Sequence, residues 1–369
     1  MNRLIVITGG AGFIGSNFVH TVLSKTPYSV LVIDDLTYAG SLRNLVNVCK
    51  NTRYRFIKAN ILEGKTIERI LWDYKPWAMV NFAAETHVDR SIDNPRGFVE
   101  TNVAGTFTLL ETTLRYLHRQ RFTDLAEFRF LQVSTDEVYG SLESSGLFSE
   151  TSPYAPSSPY AASKAGADHL VQSYHKTYRL PTLITHGSNS YGPYQFPEKL
   201  IPLIILNAFH GQSLPIYGDG QHVRDWLYVE DHCGGILAAL KYGTVGEQYN
   251  LAGCNERTNL EVVEAVCRAL EECFPASQNP ALEAQGKHGY KELKVFVPDR
   301  PGHDRRYAMD ITKAQRDLSW APRDDFEEDL RRTVQWYLSH LDWCVAVQGD
   351  TYHRERLGLQ LIESEAEAP

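Results

Sequence analysis

The sequence has few cysteines, no extended basic run and no apolar stretch of membrane-spanning length. Its six cysteines, Cys49, Cys233, Cys254, Cys267, Cys273 and Cys344, include no Cys-x-x-Cys pair and no accompanying histidine spacing. That pattern excludes a disulfide framework and a zinc site, so the thiols read as buried and reduced and no metal is expected. Lys+Arg 37 against Asp+Glu 45 leaves a net charge of -8, which argues against a phosphate-tracking nucleic-acid surface. The apolar stretch before the first glycines, Leu4 to Ile7, is too short for a signal sequence. With no membrane segment either, a cytoplasmic protein is expected. No Gly-x-x-x-x-Gly-Lys occurs, which excludes a nucleoside-triphosphate P-loop.

What is present is an alternation of strand and helix patterns. Leu4 to Thr8, Ser29 to Ile33, Tyr54 to Ile57, Ala78 to Ala83, Phe128 to Ser134 and Thr182 to Thr185 read as buried strands. Ile14 to Leu23, Thr66 to Tyr74, Phe98 to Tyr116 and a segment starting near Tyr160 read as helices between them. The fold class is therefore α/β, a Rossmann-like doubly wound parallel sheet with a smaller α/β C-terminal substrate-binding lobe. The division expected is 1–186 for the dinucleotide-binding domain with the catalytic residues, and 187–350 for the second lobe with some chain crossing. Residues 351–369 form an acidic tail, with Glu363, Glu365 and Glu367, expected to fray. Tyr191 to Pro202 and Leu214 to Arg224 read as ligand-binding loops, Asn259 to Cys273 and Phe326 to His340 as covering helices, and Pro275 to Tyr290 as an exposed loop.

Between the first strand and first helix stands Thr8-Gly9-Gly10-Ala11-Gly12-Phe13-Ile14-Gly15. Glycines there let the backbone approach a pyrophosphate, and the helix N-terminus offers it unpaired N–H groups. Asp34, 19 residues beyond Gly15 at the end of the second strand, is placed for the adenosine ribose hydroxyls. A carboxylate there, with no arginine immediately following, favours NAD over NADP.

Tyr160 and Lys164 lie one helical turn apart on one face. A neighbouring ammonium favours the phenolate, so the Tyr160 pKa is expected to fall toward a range where it can deprotonate a sugar hydroxyl. The fifth strand runs into Thr135, whose hydroxyl can share the substrate oxygen. Asp136 and Glu137 follow it. Adjacent residues of a strand face opposite ways, so both carboxyls can reach one sugar only if the strand ends at Thr135. In a closed cleft the pair separates its pKa values and supplies one acid and one base, as elimination of water requires.

The glycine motif, Asp34, Ala83-Ala84-Glu85, Thr135 and the Tyr160/Lys164 pair resemble the extended short-chain dehydrogenase/reductase superfamily. Within it, the run Ser134-Thr135-Asp136-Glu137-Val138-Tyr139-Gly140 is similar to that of the dTDP-glucose 4,6-dehydratases. The likeness continues in Asp34 to Gly40, Ala83 to Ser91, Tyr191 to Leu200, Arg224-Asp225-Trp226 and Asp299 to Arg306. The resemblance implies a nucleotide sugar, dTDP-glucose, as substrate. In the chemistry it implies, Tyr160, aided by Thr135 and Lys164, deprotonates the C4 hydroxyl as NAD takes the C4 hydride; Glu137 then removes the C5 proton, Asp136 protonates the departing C6 hydroxyl, and the hydride returns to C6. It also implies cofactor contacts at Gly9, Gly12, Phe13, Ile14, Gly15, Asp34, Thr37, Asn60, Ile61, Ala83, Ala84, Thr101, Tyr160, Lys164 and Ser190. Substrate contacts are implied at Thr86, Thr135, Asn189, Lys199, Leu200, Pro215, Tyr217, Arg224, Asn259, Arg300 and His303.

Lys199, Arg224, Arg300 and His303 suit diphosphate oxygens by their own chemistry, giving an acidic protein a local anion site. Three positions depart from the family pattern: Asn60 replaces an Asp beside the adenine, Ser190 an Asn, and Thr86 a Ser. Homodimerisation is implied through the helices Phe98 to Tyr116 and Tyr160 to Tyr178. Rival readings are a dehydratase of another nucleotide sugar such as UDP-glucose, a UDP-sugar 4-epimerase, which has no need of Asp136-Glu137, and an NAD-responsive binding protein.

Overall fold

The computed structural model describes residues 3–119, 127–323, 325–349 and 352–358. Six strands follow the expected rhythm: β1 (Leu4–Thr8), β2 (Ser29–Asp34), β3 (Tyr54–Lys58), β4 (Ala78–Asn81), β5 (Arg129–Thr135) and β6 (Thr182–Gly187). Beyond them come β7 (Asn189–Tyr191), β8 (Leu214–Tyr217), β9 (Val223–Tyr228), β10 (Gln248–Leu251), β11 (Glu256–Thr258) and β12 (Lys294–Val297). The large sheet has the order β10-β6-β5-β4-β1-β2-β3, every neighbouring pair parallel. Helices cover both faces, which is why Ile5, Val6, Ile7, Val30, Leu31 and Val32 can be continuously apolar and fully buried.

The strand order reverses between β1 and β4. Crevices at such a switch point, outside the C-terminal strand ends, are where α/β sheets bind ligands. Gly9, Asp34, Ala83, Thr135 and Gly187 all stand at or just beyond those ends. The second lobe holds a three-stranded sheet, β11-β9-β7, and the pair β12-β8. Its core joins Tyr191, Ile204, Val263, Leu270, Leu330 and Tyr337 from the helices Leu200–Phe209, Asn259–Cys273 and Phe326–Ser339 and from β7. The chain then crosses back, since β10 closes the large sheet beside β6.

Four expectations need correction. The helix expected over Phe98 to Tyr116 is not uniform: Val99–Gly105 is π-helical and only Thr106–Arg119 is α-helical. Within the π segment, Asn102 accepts from Glu85 N at 2.9 Å and donates to Glu85 O and to Ser163 Oγ, fixing the loop after β4 to the Tyr160 helix. Such π-segments recur at functional sites, and this one carries Thr101 to the cavity wall. Leu214 to Arg224 contains β8 and the start of β9 rather than loop alone; the alternation of buried and half-buried side chains over Leu214–Tyr217 was the signal, masked by Pro215. Pro275 to Tyr290 is not simply exposed, for Ala276, Leu282 and Tyr290 are buried and Asn279 donates to Phe209 O. Part of the expected tail docks: Tyr352 is buried against Phe196 and Gly358 N donates to Asp93 Oδ2. Glu363, Glu365 and Glu367 lie outside the described residues. Among the described residues no helix is long and apolar enough to cross a membrane.

Candidate active site

One cavity of about 300 Å³ follows the strand ends from the glycine loop to Lys199. At its β1 end the backbone is shaped for close approach. Gly9 has φ +69°, and a Cβ there would lie 2.5 Å from Ala83 N; a Cβ on Gly15 would lie 2.2 Å from Gly9 O. The helix Phe13–Lys25 starts behind Gly12 with no side-chain cap and no acidic residue in its first turn. Its leading N–H groups are thus left for a phosphate. Asp34 is held by its own loops, Oδ2 accepting from Ala11 N at 2.9 Å and Oδ1 from Leu36 N at 2.8 Å. The residues present therefore fit a dinucleotide: a cradle that a Cβ would fill, a bare helix terminus and an oriented carboxylate.

The departures at Asn60 and Ser190 acquire reasons here. Asn60 Nδ2 donates to Asp35 Oδ2 at 2.9 Å while its Oδ1 accepts from Leu62 N. An aspartate would set two carboxylates face to face at that distance. Ser190 Oγ lies 2.8 Å from His232 Nδ1, a partner the sequence did not suggest. His232 is buried, with Nε2 unpartnered among the described residues, and burial pulls its pKa down to about 4. Because that lies below the unfolded value of about 6.5, the unfolded chain binds the proton preferentially. The stability this neutral ring contributes is complete above pH 6.5 and is lost as pH falls toward 4, by about 2 kcal/mol at pH 5. His232→Gln should shrink the stability difference between about pH 7 and pH 5 by that amount in urea titrations; an unchanged difference would contradict the assignment.

At the other end of the cavity, β5 ends at Thr135 and a single 3₁₀ turn, Asp136–Tyr139, begins. Thr135 Oγ1 caps that turn, accepting from Glu137 N at 3.3 Å, and lies 3.2 Å from Asp136 Oδ1. The strand thus stops where the carboxyl pair requires. Both carboxyls are pushed up, and unequally. Burial comes first for each, but Asp136 also feels Glu137 and Asp225 against Arg224 and the Thr135 hydroxyl, whereas Glu137 is opposed by three cations, Arg300, Arg224 and Lys199, with Asp304 raising it. Asp136 is thus the carboxyl held more strongly toward its neutral form, and Glu137 the one the cations hold closer to ionised.

Tyr160 opens the helix Pro159–Tyr178, which Ser158 caps by accepting from Ala161 N. Its ring packs edge-on against Phe98, and it lines the cavity together with Thr135. The expected lowering of its pKa by Lys164 is not what this chain shows. Burial, then the charge of Glu137, hold the phenol well above its ordinary value, and Thr135 opposes them. Lys164, itself buried and held low by burial, donates to Val133 O at 2.7 Å, so its ammonium is engaged by the strand end.

Of the proposed contacts, Gly9, Gly12, Phe13, Ile14, Gly15, Asp34, Thr37, Asn60, Ile61, Ala83, Ala84, Thr101, Tyr160, Lys164 and Ser190 line the cavity, as do Thr86, Thr135, Asn189 and Lys199. The structure does not bring Leu200, Pro215, Tyr217, Arg224, Asn259, Arg300 or His303 to that wall. Arg300 donates to Asp89 Oδ1 and Tyr217 to Asp89 Oδ2, Arg224 lies over the Tyr307 ring, and Asn259 N donates to His222 O. Arg224 and Arg300 nonetheless face Glu137 electrostatically. His303 stacks on His222 with Asp299 bridging both rings. Burial, then the charges of Arg300 and Arg224, hold its pKa well below the ordinary imidazole value, and Asp299 opposes them. Sequence reasoning gave no role to Glu198, which is buried and receives Arg90 Nε and Tyr38 OH, or to Asp225, which burial raises to about 6. All four residues lie within motif blocks that carry the resemblance; only their packing shows what they touch.

The chain matches the family model described as GDP-mannose 4,6 dehydratase over residues 6–333. It is 50% identical over 357 residues to the dTDP-glucose 4,6-dehydratase of Neisseria meningitidis, covering 96% of this chain and 99% of that one. Two crystal structures of dTDP-glucose 4,6-dehydratases with NAD are similar. That from Bacillus anthracis has TM-score 0.79 and 44% identity, covering 94% of this chain and 99% of that one; that from Streptomyces venezuelae has TM-score 0.82 and 42% identity, covering 94% and 100%. The glycine cradle, the Tyr160/Lys164 helix and the Asp136-Glu137 turn thus sit on a scaffold shared over nearly its whole length, and the chain belongs to the dTDP-glucose 4,6-dehydratase family of the extended short-chain dehydrogenase/reductases.

Proposed function

We propose that this chain is an NAD-dependent hydro-lyase that converts dTDP-glucose to dTDP-4-keto-6-deoxyglucose and water. The observation that carries this reading is the 3₁₀ turn after Thr135, which places Asp136 and Glu137 beside Tyr160 in one cavity, with cations holding Glu137 the closer of the two to ionised. The Gly9–Gly15 loop, Asp34 and Lys164 would hold NAD, which when bound would supply a reversible hydride acceptor. Tyr160 takes the C4 hydroxyl proton, with Thr135 orienting that oxygen. The 4-ketone acidifies C5–H, Glu137 removes it, and Asp136 protonates the C6 hydroxyl as it leaves. Lys199 on the cavity wall, with the charges of Arg224 and Arg300 felt at Glu137 from behind it, favours an anionic substrate such as a diphosphate.

Other features of the reading follow from surface and connectivity. The lobes divide near residue 186, with the helix Val229–Tyr242 and β10 crossing back to the large sheet. The enzyme works in the cytoplasm as a homodimer joined through its helices Phe98 to Tyr116 and Tyr160 to Tyr178, on which Val99, Phe107 and Tyr178 stand exposed. Incubation with dTDP-glucose, with UDP-glucose alongside, tests the reaction and its base preference. The product is expected to lack one water, with the thymine nucleotide turned over faster. Unchanged mass with isomerisation to the galactose epimer would instead favour the epimerase, whose chemistry leaves Asp136 and Glu137 without work.

A further inference from the structure

Glu198 is a buried carboxylate that the proposed reaction does not use. Its side chain is 1% exposed, and each oxygen has a partner at 2.9 Å: Oε1 accepts from the Tyr38 hydroxyl and Oε2 from Arg90 Nε. Both donors come from the dinucleotide side of the cavity. Tyr38 stands on the loop after β2 that also carries Asp34 and Thr37, and Arg90 on the short helix Val88–Asp93 that follows Ala83 to Thr86. Glu198 comes from the other side, on the segment leading into the helix Leu200–Phe209 of the second core.

The contact is cased in aromatic rings. The Arg90 guanidinium lies 4.3 Å over the Tyr38 ring and 5.8 Å over that of Tyr352. Phe196 meets Tyr38 edge-on at 5.6 Å and Tyr352 at 5.8 Å. Charge-assisted hydrogen bonds shielded in this way are stronger than exposed ones. The next residue makes a second clasp, Lys199 Nζ donating to Thr86 O at 2.8 Å. Thr37, Tyr38, Thr86, Glu198 and Lys199 all line the one cavity. Two successive residues of one segment therefore hold two loops of the dinucleotide side, Glu198 the loop after β2 and Lys199 the loop after β4.

On the cofactor and substrate proposed above, we infer that Glu198 is a positioning residue that couples the two ends of the cavity: an anion seated on Lys199 steadies Glu198, and Glu198, through Tyr38 and Arg90, steadies the loop that carries Asp34 and Thr37. A dinucleotide held by that loop leaves as the loop yields, so a nucleotide diphosphate at Lys199 slows its release. The coupling works in both directions, because a dinucleotide that orders the loop presents Tyr38 to Glu198 and so sets Lys199 for the anion.

Release of labelled NAD from the loaded enzyme into excess unlabelled NAD, with and without saturating dTDP, tests this without any turnover. In the wild type dTDP is expected to slow release about tenfold. Glu198→Gln should release NAD at one rate whether or not dTDP is bound, its occupancy checked by calorimetry in the same samples. Removing one partner of a buried ion pair is strongly destabilising, so Tyr38→Phe is a second variant: it keeps the ring on Phe196 and Arg90, removes one hydrogen bond, and should cut the slowing to about threefold. A slowing that stays tenfold in both variants would overturn the coupling and leave dTDP as a plug in the exit. Release that bound dTDP does not slow in the wild type would overturn it as well. Failure of dTDP to bind the wild type at all would overturn the proposed substrate, and the coupling with it, a result distinct from binding without coupling.

Discussion

Replacing Tyr160 with Phe is expected to lower turnover of dTDP-glucose by about a thousandfold and to leave bound cofactor fully oxidised on mixing with substrate. The ring that remains still packs against Phe98 at 6.2 Å and still opens a helix whose cap is Ser158, so folding is spared. What disappears is the phenol oxygen beside Thr135 in the cavity, close enough to Glu137 to feel its charge. The C4 oxidation needs a base in that place, and the strongly raised pKa of Asp136 makes it a poor substitute. The pH dependence has a defined sign. Burial and Glu137 raise the Tyr160 pKa, so the rate of C4 oxidation should climb with pH as the phenol ionises. Glu137→Gln, by removing the negative charge that raises it, should move that limb to lower pH. Stopped-flow absorbance of the reduced nicotinamide checks both statements; an unshifted limb in Glu137→Gln would mean the charge is not felt.

Asp136→Asn is expected to produce the opposite phenotype. The amide mimics the neutral carboxylic acid in size and leaves C4 oxidation intact, yet it cannot deliver a proton to the C6 hydroxyl. Reduced nicotinamide should accumulate to one per site and decay about a thousandfold more slowly than in wild type. Stability should not suffer, since the native acid is buried with Oδ2 unpartnered beside Glu137 and Asp225. Cofactor that never becomes reduced in Asp136→Asn would merge its role with that of Tyr160 and contradict the division of labour.

Much of this site is legible in the sequence because its parts are local. The glycine loop, Asp34 at the end of β2, the i,i+4 pair Tyr160/Lys164 and the carboxyl pair behind a strand end each follow from spacing and from where strands stop. What was not legible depends on contacts between distant segments. Nothing local announces that Asn102 will bond Glu85 and Ser163 and turn a helix into a π-segment, or that Glu198 will be enclosed by Arg90 and Tyr38. The Tyr160 pKa failed for the same reason: the neighbouring ammonium is visible at i+4, whereas burial and the charge of Glu137 arise only when β5 and the helix meet. Pro215 hid a strand because proline argues against one in any sequence, yet a two-stranded pair tolerates it at an edge.

The central claim is that hydrogen leaves C4 and returns to C6 of the same sugar while C5 exchanges its proton with Glu137. dTDP-glucose carrying deuterium at C4, converted in ordinary water and analysed by mass spectrometry with carbon-resolved NMR, tests it most directly. The account predicts a 4-keto-6-deoxy product that retains the label, now at C6, within the molecule that supplied it. Label washed into solvent, scrambled between molecules, or found still at C4 of a galactose epimer would contradict it.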